Sequence, residues 1–388
     1  MTGSVDRSPV VIAARRTPIG TAGHALARVD LVGLLAPVLR ALVDDLGPDA
    51  PGVDEVVIGN CMGPGGNPAR VAALAAGLGT RVPGVTVDRQ CGSGQEAVHQ
   101  GATAVLAGLV DLVLAGGAES ASTAPWRLTR PTMSTGLPMP YERASFAPTE
   151  IGDPDMGPAA EAVAAMCGIT RQRQDAYAVR SHALALAASR TGAFEAELVP
   201  VRGVVSDERP RRLNEAVLSR MRPAFVPGGT VTAGNSCGVS DGAAAVALVP
   251  AHVQAALGVP GLALRGWVSV GLDPNTPGLG PVPAVNRLLK ATGIDLAKVG
   301  LVEMIEAFGS QVLACTDALG LDPLGRDAAR VCPQGGAIAL GHPWGASGAM
   351  LLVRLFAQMV RVDGPRFGIA TCAIGGGQGL ALLAERVG

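Results

Sequence analysis

Short apolar runs alternate with helix-like patterns along the first 120 residues, and this alternation limits the folds open to the chain. Strand-like and helix-like stretches follow each other at residues 10–14, 31–46, 55–59, 69–78, 85–88, 95–109 and 112–116. A regular β-α-β-α-β-α-β order is typical of a mostly parallel sheet that helices cover on both faces. We therefore predict an α/β fold built on such a sheet.

The C-terminal part of the chain repeats this rhythm. A strand-like run at 299–305 leads into a helical pattern at 306–319, and a further run at 369–373 ends in a cluster of glycines. Cys91 stands before a Gly-Ser-Gly segment that opens a helix, and His342 stands in the same relation to a helix over 349–359. Two similar halves, each with a reactive side chain just before a helix, suggest an internal duplication.

The middle of the chain has a different character. Residues 120–158 are rich in Pro, Ser, Thr and Met and show little periodicity, and helical patterns follow at 159–165 and 171–192. An arginine-rich stretch then covers 207–222. So long a segment with little strand pattern is typical of a functional insertion. We predict a lid or cap there rather than part of the sheet.

Charge and cysteine usage exclude several classes of function. The net charge is −1 with no polybasic run, so nothing indicates binding to nucleic acid or to an anionic membrane surface. The seven cysteines are scattered without a C-x-x-C pair, which argues against a disulfide framework or a zinc site. The most apolar window, 102–115, is interrupted by Asp111 and is too short to span a bilayer. The first ten residues do not resemble a signal peptide. We expect a soluble, cytoplasmic protein.

Cys91 is the strongest candidate nucleophile. It follows a short apolar strand and precedes Gly92-Ser93-Gly94, which opens a helix. The N-terminus of a helix favours the thiolate, and small residues let a substrate approach backbone N–H groups that can hold an oxyanion. A free cysteine is more commonly a buried structural residue, so the local pattern leaves both interpretations open.

His342 is the matching candidate base. It lies between a strand-like segment and a helix, in Gly341-His342-Pro343. Neutral imidazole can accept the proton of a thiol near neutral pH. The other four histidines lie in polar or helical contexts and are interpreted as structural or exposed (His24, His99, His182 and His252).

Two further patterns resemble known motifs. The segment 234–238 matches G-x-S-x-G around Ser236, and Asp273 and His342 follow in the order of a hydrolase triad. In a hydrolase this turn opens directly into a helix, whereas here a strand-like run follows at 243–249. The glycine-rich segment 59–66 lacks the Gly-Lys-Ser/Thr ending of a phosphate loop.

Taken together, several blocks resemble the thiolase family, in the family's order and across essentially the whole chain. They are Arg16-Thr17-Pro18-Ile19-Gly20, Val87-Asp88-Arg89-Gln90-Cys91-Gly92-Ser93-Gly94, Gly116-Gly117-Ala118-Glu119-Ser120, Thr232-Ala233-Gly234-Asn235, Asp241-Gly242-Ala243-Ala244, Glu306-Ala307-Phe308, Gly341-His342-Pro343 and Gly375-Gly376-Gly377.

The resemblance implies a five-layered α-β-α-β-α fold of two duplicated halves with an inserted loop domain. The division it implies is 1–119 and 242–265 for the N-terminal half, 120–241 for the insertion that helps to bind coenzyme A, and 266–388 for the C-terminal half. It also implies a homodimer or homotetramer that acts on acyl-CoA molecules and holds no permanent cofactor and no metal.

The resemblance assigns roles to individual residues. Cys91 would carry the acyl group as a thioester, His342 would activate it, and the backbone N–H groups of Cys91 and Gly375 would form the oxyanion hole. Four further residues would contact the coenzyme A substrate (Arg222, Ser236, Cys237 and Phe308).

Three positions depart from the family pattern. Ile305 stands where the family has an Asn that holds a water molecule, and Ala373 stands where it has a second catalytic cysteine. Cys372 lies one residue early, and on a strand a shift of one residue turns a side chain to the opposite face. We therefore expect Cys372 to point away from the site. Ser236-Cys237 replaces a common Ala-Ser, a smaller change.

These departures leave more than one function open. The resemblance implies interconversion of 3-oxoacyl-CoA and coenzyme A with acyl-CoA and acetyl-CoA. An altered enzyme could instead perform acyl transfer or decarboxylative condensation, which needs no second base. The remaining alternatives are a serine hydrolase that uses Ser236 and a weakly active subunit that needs a partner protein.

Overall fold

The structure, a computed structural model, describes residues 5–388. Its strands are Pro9–Arg16 (β1), Gly20–Thr21 (β2), Glu55–Gly59 (β3), Gly84–Val87 (β4), Val113–Ser120 (β5), Arg127–Thr129 (β6), Met139–Tyr141 (β7), Ser240–Pro250 (β8), Gly261–Gly271 (β9), Leu301–Met304 (β10), Phe367–Ile374 (β11) and Gln378–Val387 (β12). Its α-helices are Leu31–Leu46 (α1), Pro68–Ala75 (α2), Ser93–Leu106 (α3), Met156–Met166 (α4), Arg171–Arg190 (α5), Glu215–Leu218 (α6), Ala251–Leu257 (α7), Pro281–Thr292 (α8), Gly309–Ala318 (α9), Ala337–Leu340 (α10) and Trp344–Met359 (α11).

Local signals account for the ends of the regular elements. Helix α1 begins where the Asp30 side chain accepts a hydrogen bond from the Gly33 N–H, and it ends at Gly47, whose φ of 72° a residue with a side chain rarely adopts. Its buried leucines and valine lie on one face of the helix. The same N-terminal cap recurs on α5, where Thr170 accepts from the Arg173 N–H. Amphipathic spacing and caps therefore suffice to place these helices.

The large sheet is mixed, which corrects the prediction of a mostly parallel sheet. Its strands lie in the order β10-β11-β12-β9-β1-β8-β5-β3-β4, with β2 paired to β8. Only three pairs are parallel: β3–β4, β3–β5 and β10–β11. The pairs β5–β8, β8–β1, β1–β9, β9–β12 and β12–β11 are antiparallel. The difference arises because β8 returns after the long insertion and β12 returns through a tight glycine turn. Neither connection is a βαβ crossover.

The strand order shows the internal repeat directly. On one side of the central β1–β9 pair the order is β1-β8-β5-β3, and on the other it is β9-β12-β11-β10. The two halves meet through the register pairs Val10–Ala263 and Val11–Leu262. This confirms the predicted duplication.

The helices form layers around the two halves of the sheet. Helices α3 and α11 pack against each other and against strands of both halves, and every residue of α11 after Trp344 is buried. Helices α1 and α2 cover the outer face of the N-terminal half, and α8 and α9 cover that of the C-terminal half. The predicted five-layered α-β-α-β-α fold is therefore confirmed.

The close packing of α3 and α11 requires residues without a side chain. A Cβ atom on Gly94 would lie 2.7 Å from the carbonyl oxygen of Gly345 and 2.8 Å from the backbone nitrogen of Ala349. Backbone atoms of a buried helix cannot rotate away as a side chain can. The N-termini of the two central helices are thus held within direct contact of each other.

The segment between β5 and β8 contributes no strand to the large sheet. It holds the short hairpin β6–β7, which forms a separate two-stranded sheet, and helices α4, α5 and α6. The hairpin region exposes large apolar side chains, with Trp126 at 94% and Leu137 at 80% exposure. Over residues 5–388, no helix combines the length and the apolar character that a membrane crossing requires.

Candidate active site

Cys91 lies in the tight turn between β4 and α3. Gln90, directly before it, has a φ of 47°, a left-handed conformation that is uncommon for a residue with a side chain. The Ser93 hydroxyl stabilises this turn, because it accepts the Arg89 N–H at 2.8 Å and donates to the Gln90 carbonyl at 2.6 Å. Strained backbone of this kind persists when the surroundings hold it in place, and it is common at functional sites.

Burial and the backbone N–H groups around the Cys91 sulfur shift the pKa of its thiol in opposite directions. Burial raises the pKa of the Cys91 thiol to about 12, while the N–H groups of Cys91 and Gly375 stabilise the thiolate and oppose that rise. The nucleophile is therefore protonated at neutral pH and needs a base before it can attack. The same two N–H groups are suited to an oxyanion that develops beside the sulfur.

His342 is the candidate base. Its backbone N–H donates to the Gly238 carbonyl at 3.1 Å, and its Nδ1 lies 2.6 Å from the Ser347 hydroxyl. We assign the N–H to Nδ1 and the free electron pair to Nε2, because the Ser347 hydroxyl also contacts the Pro343 carbonyl at 3.0 Å and can donate its hydrogen there. Burial lowers the pKa of His342 to about 4, so the ring is neutral at physiological pH.

One cavity, with a volume of about 90 Å³, brings these groups together. Six of the residues that the sequence singles out line this cavity: Cys91, His342, Gly375, Cys237, Phe308 and Ala373. Helices α4 and α9 supply further walls, which the sequence analysis did not anticipate (Met156, Ala159, Ala160 and Gln311). Most of the lining is apolar, which is typical of small-molecule sites. Among the described residues, no group of three or more His, Cys, Asp or Glu side chains is placed to hold a metal.

Cys237 and Phe308 reach the cavity on two adjoining segments. The backbone N–H of Cys237 donates to the Ala307 carbonyl at 2.9 Å, and Ser236 forms a β-bridge with Phe308. The Phe308 ring meets the Phe225 ring edge to face, with 6.0 Å between ring centroids. The segment that carries Cys237 therefore lies between the Phe308 segment on one side and His342 on the other.

Of the altered positions Ala373 and Ile305, only Ala373 reaches the cavity. Ala373 lines the cavity, whereas Cys372, the preceding residue on β11, is fully buried in the core between the sheet and the central helices. Ile305 is 2% exposed and packs into the same core. It borders a second, separate cavity beside Arg16 and Arg354.

The serine hydrolase arrangement does not assemble. The Ser236 hydroxyl is buried and donates to the Thr232 carbonyl at 2.7 Å. Asp273 accepts from the backbone and side chain of Asn275, and the Nδ1 of His342 contacts Ser347 instead of a carboxylate. The three groups of the triad are each engaged elsewhere.

Two more residues lie outside the cavity lining. Arg222 is exposed on the segment that follows α6. Glu306 is fully buried and accepts from the hydroxyls of Tyr177 at 2.8 Å and Ser181 at 2.6 Å. The Glu306 carboxylate therefore joins β10 to α5 rather than facing the substrate space.

Sequence reasoning missed Ser347 and the cavity walls for different reasons. Ser347 follows His342 by five residues, within the first turn of α11, so it could have been found from its spacing to His342 in the sequence. Met156 and Gln311 approach the cavity from remote parts of the chain, and no local pattern marks that approach.

Comparisons with known proteins match the chain along its length. Residues 9–252 match the family model described as thiolase, N-terminal domain, and residues 259–386 match thiolase, C-terminal domain. An acetyl-CoA acetyltransferase of Pseudomonas aeruginosa is 43% identical over 396 residues, covering 97% of this chain and 99% of that protein. The crystal structure of the Bacillus anthracis acetyl-CoA acetyltransferase has a TM-score of 0.89 and 35% identity, covering 99% of this chain and all of that one.

Proposed function

This chain belongs to the thiolase family, and we propose that Cys91 carries the acyl group in its acyl-transfer reaction. The reaction is the interconversion of a 3-oxoacyl-CoA and coenzyme A with an acyl-CoA and acetyl-CoA. One observation carries the proposal: a single cavity holds a thiol, a neutral imidazole with a free electron pair, and the Gly375 turn. These are the three parts that acyl transfer to sulfur requires.

The acyl transfer proceeds in two steps. His342 Nε2 takes the Cys91 proton as the sulfur attacks the substrate carbonyl, and the N–H groups of Cys91 and Gly375 hold the oxygen that becomes negative. The leaving group then departs and a thioester remains on Cys91. Because burial holds the pKa of Cys91 well above neutrality, proton removal by His342 is part of the attack rather than a preceding equilibrium.

The coenzyme A substrate extends from this cavity along the inserted segment. Phe308 lines the cavity and packs on Phe225, so an apolar path continues from the thioester toward the surface. We assign Cys237 and Ser236 to the wall beside the pantetheine chain, and the exposed Arg222 guanidinium to the nucleotide phosphates. Coenzyme A acts as a substrate, and no permanently bound cofactor takes part.

A second candidate is an altered enzyme that transfers acyl groups or condenses them by decarboxylation. Ala373 gives the cavity an apolar wall, and Ile305 packs into the core and offers no polar group to a water molecule. Thiolysis of acetoacetyl-CoA by wild type and by Ile305→Asn/Ala373→Cys separates the two. If wild type catalyses thiolysis as fast as the double variant, Ile305 and Ala373 do not impair the reaction. If the double variant is faster, the altered enzyme is favoured.

We further propose that the protein is a homodimer or homotetramer in the cytoplasm. The sheet ends at β4, an edge strand whose Val85 is 38% exposed, and the β6–β7 region exposes Trp126 and Leu137. Apolar surface of this kind is typical of association sites. All seven cysteines are free thiols, which suits a reducing compartment. The proposed division of the chain is 1–119 with 242–265, the insertion 120–241, and 266–388.

Intact-mass measurement after incubation with acetyl-CoA tests the acyl-enzyme. We expect an acetyl adduct on wild type and on Ser236→Ala, and none on Cys91→Ala. Ser236→Ala is the matched control because it tests the rival hydroxyl nucleophile. An adduct that survives in Cys91→Ala, or wild type that stays unmodified with several acyl-CoAs, contradicts the proposal.

A further inference from the structure

Cleavage of a 3-oxoacyl-CoA needs a proton transfer to the α-carbon in addition to the transfer from Cys91 to His342. When the bond between the α-carbon and the ketone carbon breaks, its electron pair stays on the α-carbon, which must then receive a proton. His342 Nε2 already holds the proton of Cys91 at this stage. A third group beside the substrate would deliver this proton without using the one that His342 must return to Cys91.

The cavity contains one such group in addition to the pair. Of the residues that line it, only Cys91, His342 and Cys237 have side chains that gain or lose a proton in the accessible pH range. The others are apolar, or carry an amide or an indole. Cys237 is half-buried, so its thiol borders the substrate space.

We propose that Cys237 is a second catalytic thiol, which exchanges a proton with the α-carbon of the thioester substrate. The proposal rests on the proposed function, since it completes the reaction for which Cys91 is the nucleophile. It goes beyond the contact with coenzyme A that the sequence motif implies for this position.

The position of Cys237 is fixed by its neighbours. Its N–H donates to the Ala307 carbonyl at 2.9 Å, and the next carbonyl along the chain, that of Gly238, accepts the N–H of His342 at 3.1 Å. Backbone hydrogen bonds thus hold residues 237–238 between the segments that carry Ala307 and His342. They link the segment of the second thiol directly to that of the base. A proton carried by Cys237 has a defined place relative to His342.

Arg209 supplies a positive charge on the same segment. Its guanidinium packs so closely on Gly238 that a Cβ there would lie 2.1 Å from Nη1. Burial raises the pKa of Cys237 to about 12 and the nearby Cys91 raises it further, while Arg209 acts to lower it. The thiol is consequently protonated at rest, as a proton donor must be, and the thiolate it leaves has a cation nearby.

Thiolysis then conserves protons and electron pairs at each step. The Cys91 sulfur attacks the ketone carbon while His342 takes its proton, the carbon–carbon bond breaks, and the α-carbon takes the Cys237 proton, which releases acetyl-CoA. Coenzyme A then gives its thiol proton to the Cys237 thiolate and attacks the acyl carbon. Cys91 departs as a thiolate and recovers its proton from His342.

The experiment compares wild type, Cys237→Ala, Cys237→Ser and Cys237→Ala/Ala373→Cys. Exchange of the acetyl-CoA methyl protons in D₂O reports proton transfer at the α-carbon, thiolysis of acetoacetyl-CoA reports the full reaction, and intact mass reports acetylation of Cys91. The Ser variant keeps the shape of the side chain but its hydroxyl is too weak an acid. Ala373→Cys places a thiol on another wall of the same cavity.

We expect both single variants to keep the acetyl adduct and to lose exchange and thiolysis by roughly 10²–10⁴-fold, the usual contribution of a general acid or base. Partial recovery of exchange in the double variant supports the proposal. Exchange within tenfold of wild type in Cys237→Ala or Cys237→Ser overturns it while the acyl-enzyme stands. Absence of the adduct from wild type overturns the proposed function as well, so the two failures are distinguishable.

Discussion

The Nδ1 atom of His342 lies 2.6 Å from the hydroxyl oxygen of Ser347, and we infer that this contact sets which ring nitrogen carries the proton. The hydroxyl is held in turn by the Pro343 carbonyl at 3.0 Å. A neutral histidine without such a partner distributes its proton over both nitrogens. With the N–H assigned to Nδ1, Ser347 would keep the electron pair on Nε2 and act as a positioning residue for the proposed base.

Ser347→Ala should therefore slow acetylation of Cys91. We expect a loss of roughly 10-fold or more, a part of the ~10²–10⁴-fold that general base catalysis contributes. Rapid-mixing measurement of adduct formation checks this. Thr316→Val is the matched control, because Thr316 is a buried hydroxyl that bonds only within α9. Equal losses in both variants would show that the effect is structural.

The raised pKa of Cys91 predicts how the free enzyme reacts with an alkylating agent. With a thiol pKa of about 12, the thiolate fraction grows about tenfold for each pH unit between 7 and 9, and so does the labelling rate. Iodoacetamide labelling followed by peptide mass spectrometry measures this. The exposed Cys167 is the internal reference and should react faster at pH 7. A plateau at Cys91 below pH 8 would instead indicate a resting thiolate–imidazolium pair.

The contact between the central helices predicts the effect of Gly94→Ala. The new Cβ would meet backbone atoms of Gly345 and Ala349, so α3 and α11 must separate. We expect a loss of roughly 1–3 kcal/mol in the free energy of unfolding and slower acetylation of Cys91. Gly52→Ala is the control, since a Cβ there meets nothing within 4 Å. Unchanged stability in Gly94→Ala would mean that the helices adjust without cost.

A buried carboxyl on β10 predicts a pH-dependent stability. Burial raises the pKa of Glu303 to about 7, against the attraction of Arg354 and the hydrogen bond that Gln358 donates at 2.6 Å. The folded state therefore binds this proton more tightly than the unfolded chain. The resulting stabilisation is complete below about pH 4.5 and is lost as the pH rises through 7.

Glu303→Gln should remove this dependence. We expect the variant to match wild type near pH 4.5 and to exceed its stability at pH 8 by roughly 1–3 kcal/mol, since one pKa unit corresponds to about 1.4 kcal/mol. Denaturant unfolding at the two pH values measures it. Glu385→Gln should behave in the opposite way, because Arg366 and Arg265 outweigh burial and lower the pKa of Glu385. A variant at Glu303 that is less stable at pH 8 would contradict the argument.

The sequence predicts the parts of this protein whose causes are local. Helix α1 and strand β3 were predicted with their observed bounds, because capping residues, glycine and apolar periodicity mark their ends. Cys91 and His342 stand out for the same reason, as each lies in a short motif before a helix. These two candidate residues could therefore be predicted from the few residues around each of them.

Features that depend on remote contacts escaped prediction. The antiparallel position of β8 between β1 and β5 follows from pairing across more than 100 residues, which no local pattern encodes. The same holds for Met156, which approaches the cavity from the insertion. The tautomer of His342 required the position of the Ser347 hydroxyl, which only the folded helix supplies.

The division of the site between the two repeated halves has a consequence for when the protein can be active. The turn that carries Cys91 belongs to the first repeat, and the segment that carries His342 belongs to the second. Because the cavity needs Cys91 from one repeat and His342 from the other, neither repeat holds the complete candidate site, and we expect activity only from a chain in which both have folded.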